Sequence, residues 1–293
     1  MPEAKIGIIG GTGLYHIEGM AKIEEIKMTT PFGEPSEAIT LGNLEGVKVA
    51  FLPRHGKGHR ISPSEIPSKA NIYALKLLGV ERIFSVSVVG SLKEEILPSD
   101  LVIPDQLIDR TRGRDSTFFT NGIVGHIAFA EPFCPILSQI LFESATKVGA
   151  KVHKGGIYLA MEGPQFSTKA ESQLYRSWGA HIISMTALPE AKLAREAEIC
   201  YAVLAVVTDC DCWHPDYGSV TTQMILANMQ KGIDTAKKTL KLAIPNIPQK
   251  RDCACATALK DAIATSPEYI PEKTKEDLDL LMGKYLNRKE VTE

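Results

Sequence analysis

"PEAKLAREAEICYAVLAVVTDCDCW", residues 189–213, decides the fold. Pro189 sits where a first helical turn tolerates a missing N–H, "EAKLAREAEI" follows as a helix, and "CYAVLAVVTD" is the most strand-like run in the chain. Helix then feeds strand, and the strand ends in a polar cluster of two aspartates, two cysteines and a tryptophan. That cluster reads as a metal site, a redox site or a reader of a polar ligand.

The same pattern extends outward. In "SKANIYALKLLGVERIFSVSVVGS", residues 68–91, Ala70, Ala74, Leu77 and Leu78 share one helical face, Gly79 is a stop, and Ile83 to Val89 reads as a strand. In "PILSQILFESATKVGA", Ile136, Leu137, Ile140, Leu141 and Val148 form a stripe ahead of the strand in "GGIYLAMEG". Thr168 and Glu171 are spaced as a capping box for a helix that runs to Trp178 and stops at Gly179 before "HIISMT". Two further strands, in "KIGIIGGTG" from Lys5 and in "VKVAFLPRHG" from Val47, end in glycine-bearing loops.

This alternation predicts an α/β fold: a single domain with a central mixed, mostly parallel twisted sheet, helices on both faces, and ligands beyond the carboxyl ends of the strands. No repeat is evident, and the first proline-rich break is "IPNIPQKRD" at 244–252. Residues 1–250 are therefore expected to form the domain and 251–293 a helical extension packing on it or on a neighbouring subunit. Leu278, Leu280, Leu281 and Tyr285 would form the extension's apolar side.

With 293 residues, 44% hydrophobic, the chain can bury a substantial core; 33 basic against 35 acidic residues, net charge −2, leave no global field to draw in nucleic acid or an anionic membrane. No run reaches membrane-span length and the N-terminus lacks a signal pattern, so a cytoplasmic location is expected. Six cysteines are too dilute for a disulfide scaffold, and buried thiols are the expectation. "CAC" at 253–255 is a candidate strained pair if the source keeps intracellular disulfides.

Several strand ends carry donors for an anion. "GGTG" at 10–13 offers unobstructed N–H groups and the Thr12 hydroxyl, or is simply a tight turn. It lacks the dinucleotide fingerprint, because His16 stands where the last glycine should be. Arg54 and His55 could grip a dianion, Arg54 through paired N–H donors, or form a solvated basic turn. Ser87, near the end of its strand, is another oxyanion donor or bonds neighbouring backbone.

If the strand from Tyr201 runs to about Asp211, alternation sends Asp209 and Asp211 to one side and Cys210 and Cys212 to the other. Joint metal ligation is then awkward, and this stretch lacks the C-x-x-C and H-x-x-x-H spacings of metal or redox sites. Two carboxylates at a strand end suit a ligand with N–H donors, and their repulsion favours one keeping a proton. A helix N-cap or a turn at Asp209 or Asp216 is the structural alternative.

In order, "KIGIIGGTGL", "LPRHGKGHRISPSEI", "KANIYALK", "VVGSLKEEILPSDLVIPDQLIDRT", "HIAFAEPFCP", "MEGPQFSTKAES", "ISMTALPEAKLAREAEICYA" and "TDCDCW" resemble the 5′-methylthioadenosine phosphorylase branch of the trimeric purine nucleoside phosphorylases, across about residues 5 to 245. The resemblance implies phosphorolysis of the N-glycosidic bond of 5′-methylthioadenosine to adenine and 5-methylthioribose 1-phosphate. It implies no metal and no organic cofactor, with inorganic phosphate as co-substrate. Phosphate would meet Thr12, Arg54, His55, Ser87 and Thr186; Ser87 replaces a frequent threonine but keeps the hydroxyl.

By the same resemblance the nucleoside would lie against Val88, Phe166, Ser167 and Met185, with Asp209 protonating N7 and Asp211 reading the 6-amino group. Thr222 and Ile225 would line the 5′ end, Thr222 being more polar than the usual valine. His126 would reach a neighbouring subunit's pocket in a homo-oligomer, a trimer or a pair of trimers. Relatives acting on 6-oxopurines generally carry asparagine where "TDCDCW" has aspartate, so adenine is expected. The rivals are a phosphorylase of 6-oxopurine nucleosides or methylthioinosine, a nicotinamide-dependent oxidoreductase, and a non-enzymatic purine- or metal-binding module.

Overall fold

The helix and strand expected from residues 189–209 both form, and all ten residues of the strand are buried. A computed structural model describes residues 3–11, 13–14, 19–214 and 221–286. Its elements begin with strands β1 (Ile6–Gly10), β2 (Ala21–Ile26), β3 (Ile39–Leu44) and β4 (Val47–Pro53), then helix α1 (Ser68–Leu77) and strands β5 (Arg82–Ser91), β6 (Leu101–Ile103) and β7 (Gln106–Arg110). Next come α2 (Pro135–Lys147), β8 (Val152–Lys154), β9 (Ile157–Met161), α3 (Lys169–Ser177) and β10 (Ile182–Ser184). The last are α4 (Glu190–Glu196), β11 (Cys200–Asp209), α5 (Thr222–Ala243) and α6 (Glu272–Leu286).

The long strands β5 and β11 form the spine. They pair in parallel from Cys200 opposite Arg82 onward, while β5 also pairs in parallel with β1 near its start and antiparallel with β10 at its end. The mixed sheet runs β2-β3-β4-β1-β5-β10-β9-β7, with β11, β6 and β8 joined on the other side of β5.

Alternation along β11 divides the core. Tyr201, Val203, Ala205 and Val207 pack with α1, α4 and α6, whereas Ala202, Leu204 and Val206 pack with α2 and α5. Each sheet face is therefore covered by helices, which is why β11 is apolar throughout rather than at every second residue. Local signals hold at the ends: Thr168 and Glu171 make both bonds of their capping box, and Gly79 follows α1 at φ +81°.

After α5 the chain returns to the first helical face. Leu278, Leu281 and Met282 of α6 are buried there, while Leu280 is partly exposed, so Met282 fills the place expected for Leu280. Glu198 anchors this return: its carboxylate accepts from the Leu259 N–H at 3.1 Å and from Lys284 and Tyr285. Among the described residues no helix is long and apolar enough to cross a membrane.

Candidate active site

At the carboxyl ends of β1, β4, β5, β10 and β11 lies a cavity of about 510 Å³, inside the roughly 300–1,000 Å³ usual for small-molecule sites. Arg54, His55, Val88, Phe166, Ser167, Met185, Thr186, Asp209, Asp211, Thr222 and Ile225 all line it. Ser87 stands one layer behind, accepting a hydrogen bond from Thr186 Oγ1 at 3.2 Å. Thr12 and His16 lie outside the described residues, as does Asp216. His126 is exposed and does not line this chain's cavity; its N–H is bonded to Ala262 O at 2.8 Å.

Backbone pairing sets the anion side. Arg54 N–H donates to Gly10 O at 2.8 Å, locking the end of β4 to the end of β1. A Cβ at Gly11 would stand 3.9 Å from both Arg54 Nη1 and the His55 ring, so the glycine turn and the basic pair face each other closely.

The paired donors expected to reach outward from Arg54 are instead committed to Glu190, the first residue of α4. Nε–H donates to Oε1, and Nη2 donates to Oε2 at 3.1 Å and to Ser85 Oγ at 2.7 Å. The reason is burial: both side chains are 1% exposed, and a guanidinium so far from water needs a counter-ion. Burial opposes the Arg54 charge, but Glu190 more than offsets it and holds the pKa above its ordinary value. Nη1, which also donates to Val86 O at 3.2 Å, keeps one N–H for a ligand.

His55 is likewise more constrained than its sequence suggests. Its Nδ1 meets Ile61 O at 2.9 Å, and because a carbonyl only accepts, Nδ1 carries the hydrogen. Burial first, then the Arg54 charge, lowers its pKa to about 4, so the ring is neutral near pH 7 and offers Nε2 as an acceptor. It stacks on His59 with ring centres 4.1 Å apart.

The carboxylate side departs from the simple strand picture. β11 ends at Asp209 with a register shift against β5 after Val207, and Asp211 lies in a turn with φ +44°. The two aspartates thus share the cavity because the chain turns, not because a strand alternates through 211. Asp209 Oδ1 accepts the Asp211 N–H at 2.9 Å, and Oδ2 accepts the Thr208 hydroxyl at 2.9 Å. Gly90 leaves room for this, since a Cβ there would stand 2.8 Å from Asp209 Oδ1.

Burial pushes Asp209 up to about 6, with the Asp211 charge a minor addition, so repulsion between the pair is not the main cause. Asp211 is also raised by burial, against the Ser172 and Ser167 hydroxyls beside it, and its Oδ2 is buried without a well-aligned hydrogen-bond partner among the described residues. Such an oxygen calls for an N–H donor from a ligand. Cys212 acquires a task here, its thiol donating to Ser167 O at 3.3 Å. Cys210 is buried, with its thiol pushed up to about 11 by burial.

Three supports escape sequence reading. Arg114 donates to Met185 O at 2.7 Å and Leu188 O at 2.9 Å while pairing with Glu162, which joins the loops after β9 and β10. Trp213 Nε1–H donates to Ser91 O at 2.7 Å under the Arg176 guanidinium, fixing the turn beyond Asp211. Asn228 of α5 donates to Thr208 O at 2.8 Å. The basic run "RTRGRDS" at 110–116 was the one visible hint of Arg114. The opposite wall is apolar: Thr222, Ile225, Leu226, Met229 and Ile233 recur at helical spacing along α5.

An anion side, a carboxylate side and an apolar wall in one cavity define a group-transfer site. Residues 5–245 match the phosphorylase superfamily, and the chain belongs to that superfamily. An S-methyl-5′-thioadenosine phosphorylase of Koribacter versatilis is 52% identical, the match covering 99% of each chain. A methylthioadenosine phosphorylase from an antarctic soil metagenomic library is 49% identical, with a TM-score of 0.91 over 96% of this chain and 99% of that one. A variant of the adenosine/methylthioadenosine phosphorylase of Schistosoma mansoni, solved with methylthioadenosine, is 36% identical, with a TM-score of 0.82 over 88% of this chain and 96% of that one.

Proposed function

We propose that this chain cleaves the N-glycosidic bond of 5′-methylthioadenosine with inorganic phosphate, releasing adenine and 5-methylthioribose 1-phosphate. The observation that carries the reading is the pairing, in one cavity, of a buried Asp211 Oδ2 without a well-aligned hydrogen-bond partner among the described residues and a raised Asp209 with the anion side formed by Arg54, His55 and Thr186. Its family and its relatives at about half identity support the same reading.

As the bond from C1′ breaks, its electron pair moves onto the purine and the sugar becomes oxocarbenium-like. Asp209 gives its proton to N7, which stabilises the departing base, while Asp211 accepts from the 6-amino group. A phosphate oxygen then bonds to C1′ on the opposite face, held by Thr12, the remaining Arg54 N–H, His55 and Thr186, whose hydroxyl turns its hydrogen from Ser87 to the phosphate. Because neutral His55 offers Nε2 as an acceptor, it accepts a hydrogen bond from the O–H of the monoprotonated phosphate dianion.

Phe166, Val88, Ser167 and Met185 would bracket the nucleoside, and Thr222 and Ile225 would meet the methylthio end. The exposed His126 suits a contribution to a neighbouring subunit, and we read the working form as a trimer or a pair of trimers. The reaction needs no cofactor beyond phosphate as co-substrate, and we place it in the cytoplasm. The test is adenine release from 5′-methylthioadenosine across a phosphate titration. Release should rise from near zero to saturation; equal release without phosphate would make the chain a hydrolase and refute the proposal.

A further inference from the structure

Four of the six cysteines converge far from the cavity. The Sγ atoms of Cys134, Cys200, Cys253 and Cys255 all lie within 4.8 Å of one another. Three of the residues are buried, Cys253 is half-buried, and the structure holds all six thiols free. Cys200 opens the strand that Asp209 closes, and at about 3.3 Å per residue the cluster stands roughly 30 Å from the carboxylates.

Separate segments deliver these thiols. Cys134 directly precedes α2, and its N–H donates to Tyr201 O at 2.8 Å, fixing it beside the start of β11. The approach to Cys253 and Cys255 is held by arginines: Arg82 Nη2 donates to Pro248 O at 2.7 Å and Gln249 O at 3.0 Å, and Arg251 Nη1 donates to Glu198 O at 2.7 Å. The fold thus brings the four sulfurs together through contacts that do not involve them.

We propose that this cluster is a tetrathiolate site for a thiophilic divalent cation of the zinc class, which pins the C-terminal segment to the start of β11 and the head of α2. Around a tetrahedral ion with metal–sulfur bonds of about 2.3 Å, sulfurs stand about 3.8 Å apart. Here Cys200 and Cys253 stand 3.2 Å apart and no pair exceeds 4.8 Å, so the four sulfurs are close enough to share one ion. Binding is balanced without electron transfer: four thiols each release a proton, and the ion with four thiolates carries a net charge of two minus. The positive end of α2 beside Cys134 favours that charge. Four protein ligands leave no open coordination position, so the site is structural and takes no part in the reaction.

The test uses the full-length protein, reduced, supplied with Zn²⁺ and desalted. Elemental analysis should give one zinc per chain, and Co²⁺ in its place should give thiolate charge-transfer and tetrahedral d–d absorption. Zinc content should fall to less than about a tenth in the Cys253→Ser, Cys255→Ser double variant. Should that variant fail to fold, the wild-type chain still decides. Isolated without reductant and denatured in chelator with a thiol-blocking reagent, it should show the mass of the chain with all six thiols blocked. A mass that lacks two or four of the blocking groups reports disulfides and overturns the proposal, as does a reduced chain that retains no zinc.

Discussion

The two sides of the cavity handle charge in opposite ways. On the anion side Arg54 is matched within the protein by Glu190 and His55 is held neutral, so the resting site is nearly compensated. On the carboxylate side Asp211 Oδ2 has no well-aligned hydrogen-bond partner among the described residues and Asp209 is pushed to about 6, so that side waits for a donor. The first side is built for stability before binding; the second holds an unsatisfied group for the ligand to satisfy.

The largest expected effect comes from breaking the compensated side. Arg54→Ala leaves Glu190 as a buried charge without its partner, which should cost about 3–5 kcal/mol, read as a lower chemical denaturation midpoint, and should abolish phosphate saturation. On the other side Asp209→Asn should lower kcat by about 10²–10⁴-fold without lowering stability at neutral pH. Steady-state rates and denaturation curves on the same samples compare the two.

Smaller effects sharpen the contrast. Asp211→Asn should shift the ratio of specificity constants from adenosine toward inosine by at least about tenfold, as a carboxylate that only accepts becomes an amide that also donates. An unchanged ratio would remove Asp211 from base recognition. Thr186→Val should raise the phosphate KM by a few-fold, about 1 kcal/mol for one neutral hydrogen bond, with little change in the nucleoside KM.

A further contrast, stability against pH, should have opposite signs on the two sides. His55 binds its proton more weakly folded than unfolded, so its contribution to stability rises with pH between about 4 and the ordinary 6.5. Asp209 binds its proton more tightly folded, so its contribution falls as pH rises from the ordinary 3.8 to about 6. His55→Asn should remove the rising part and Asp209→Asn the falling part; identical profiles for the two variants would contradict the assignments.

The helix and strand alternation was legible because its signals are local: unbroken apolar runs, a capping box at Thr168 and a glycine after α1. The β2 strand "AKIEEI" was not, since its charges sit on an edge strand that buries little. Arg54, His55, Thr186, Asp209 and Asp211 could be named in advance, but their electrostatic state could not. Glu190 reads as an ordinary first-turn acid until the fold sets it against Arg54, and Asp211 reaches the cavity through a turn that alternation does not foresee. The thiol cluster is invisible for the same reason, because Cys134, Cys200 and the 253–255 pair meet only in the folded chain.

The central claim is that one cavity joins a purine departing on the Asp209 side to a phosphate arriving on the Arg54 side. Its most direct test follows adenine and phosphorus together, with ultraviolet absorbance for the base and ³¹P NMR for the phosphate during turnover of 5′-methylthioadenosine. The account predicts one sugar 1-phosphate ester formed for every adenine released. Adenine accumulating while inorganic phosphate stays unchanged would contradict it.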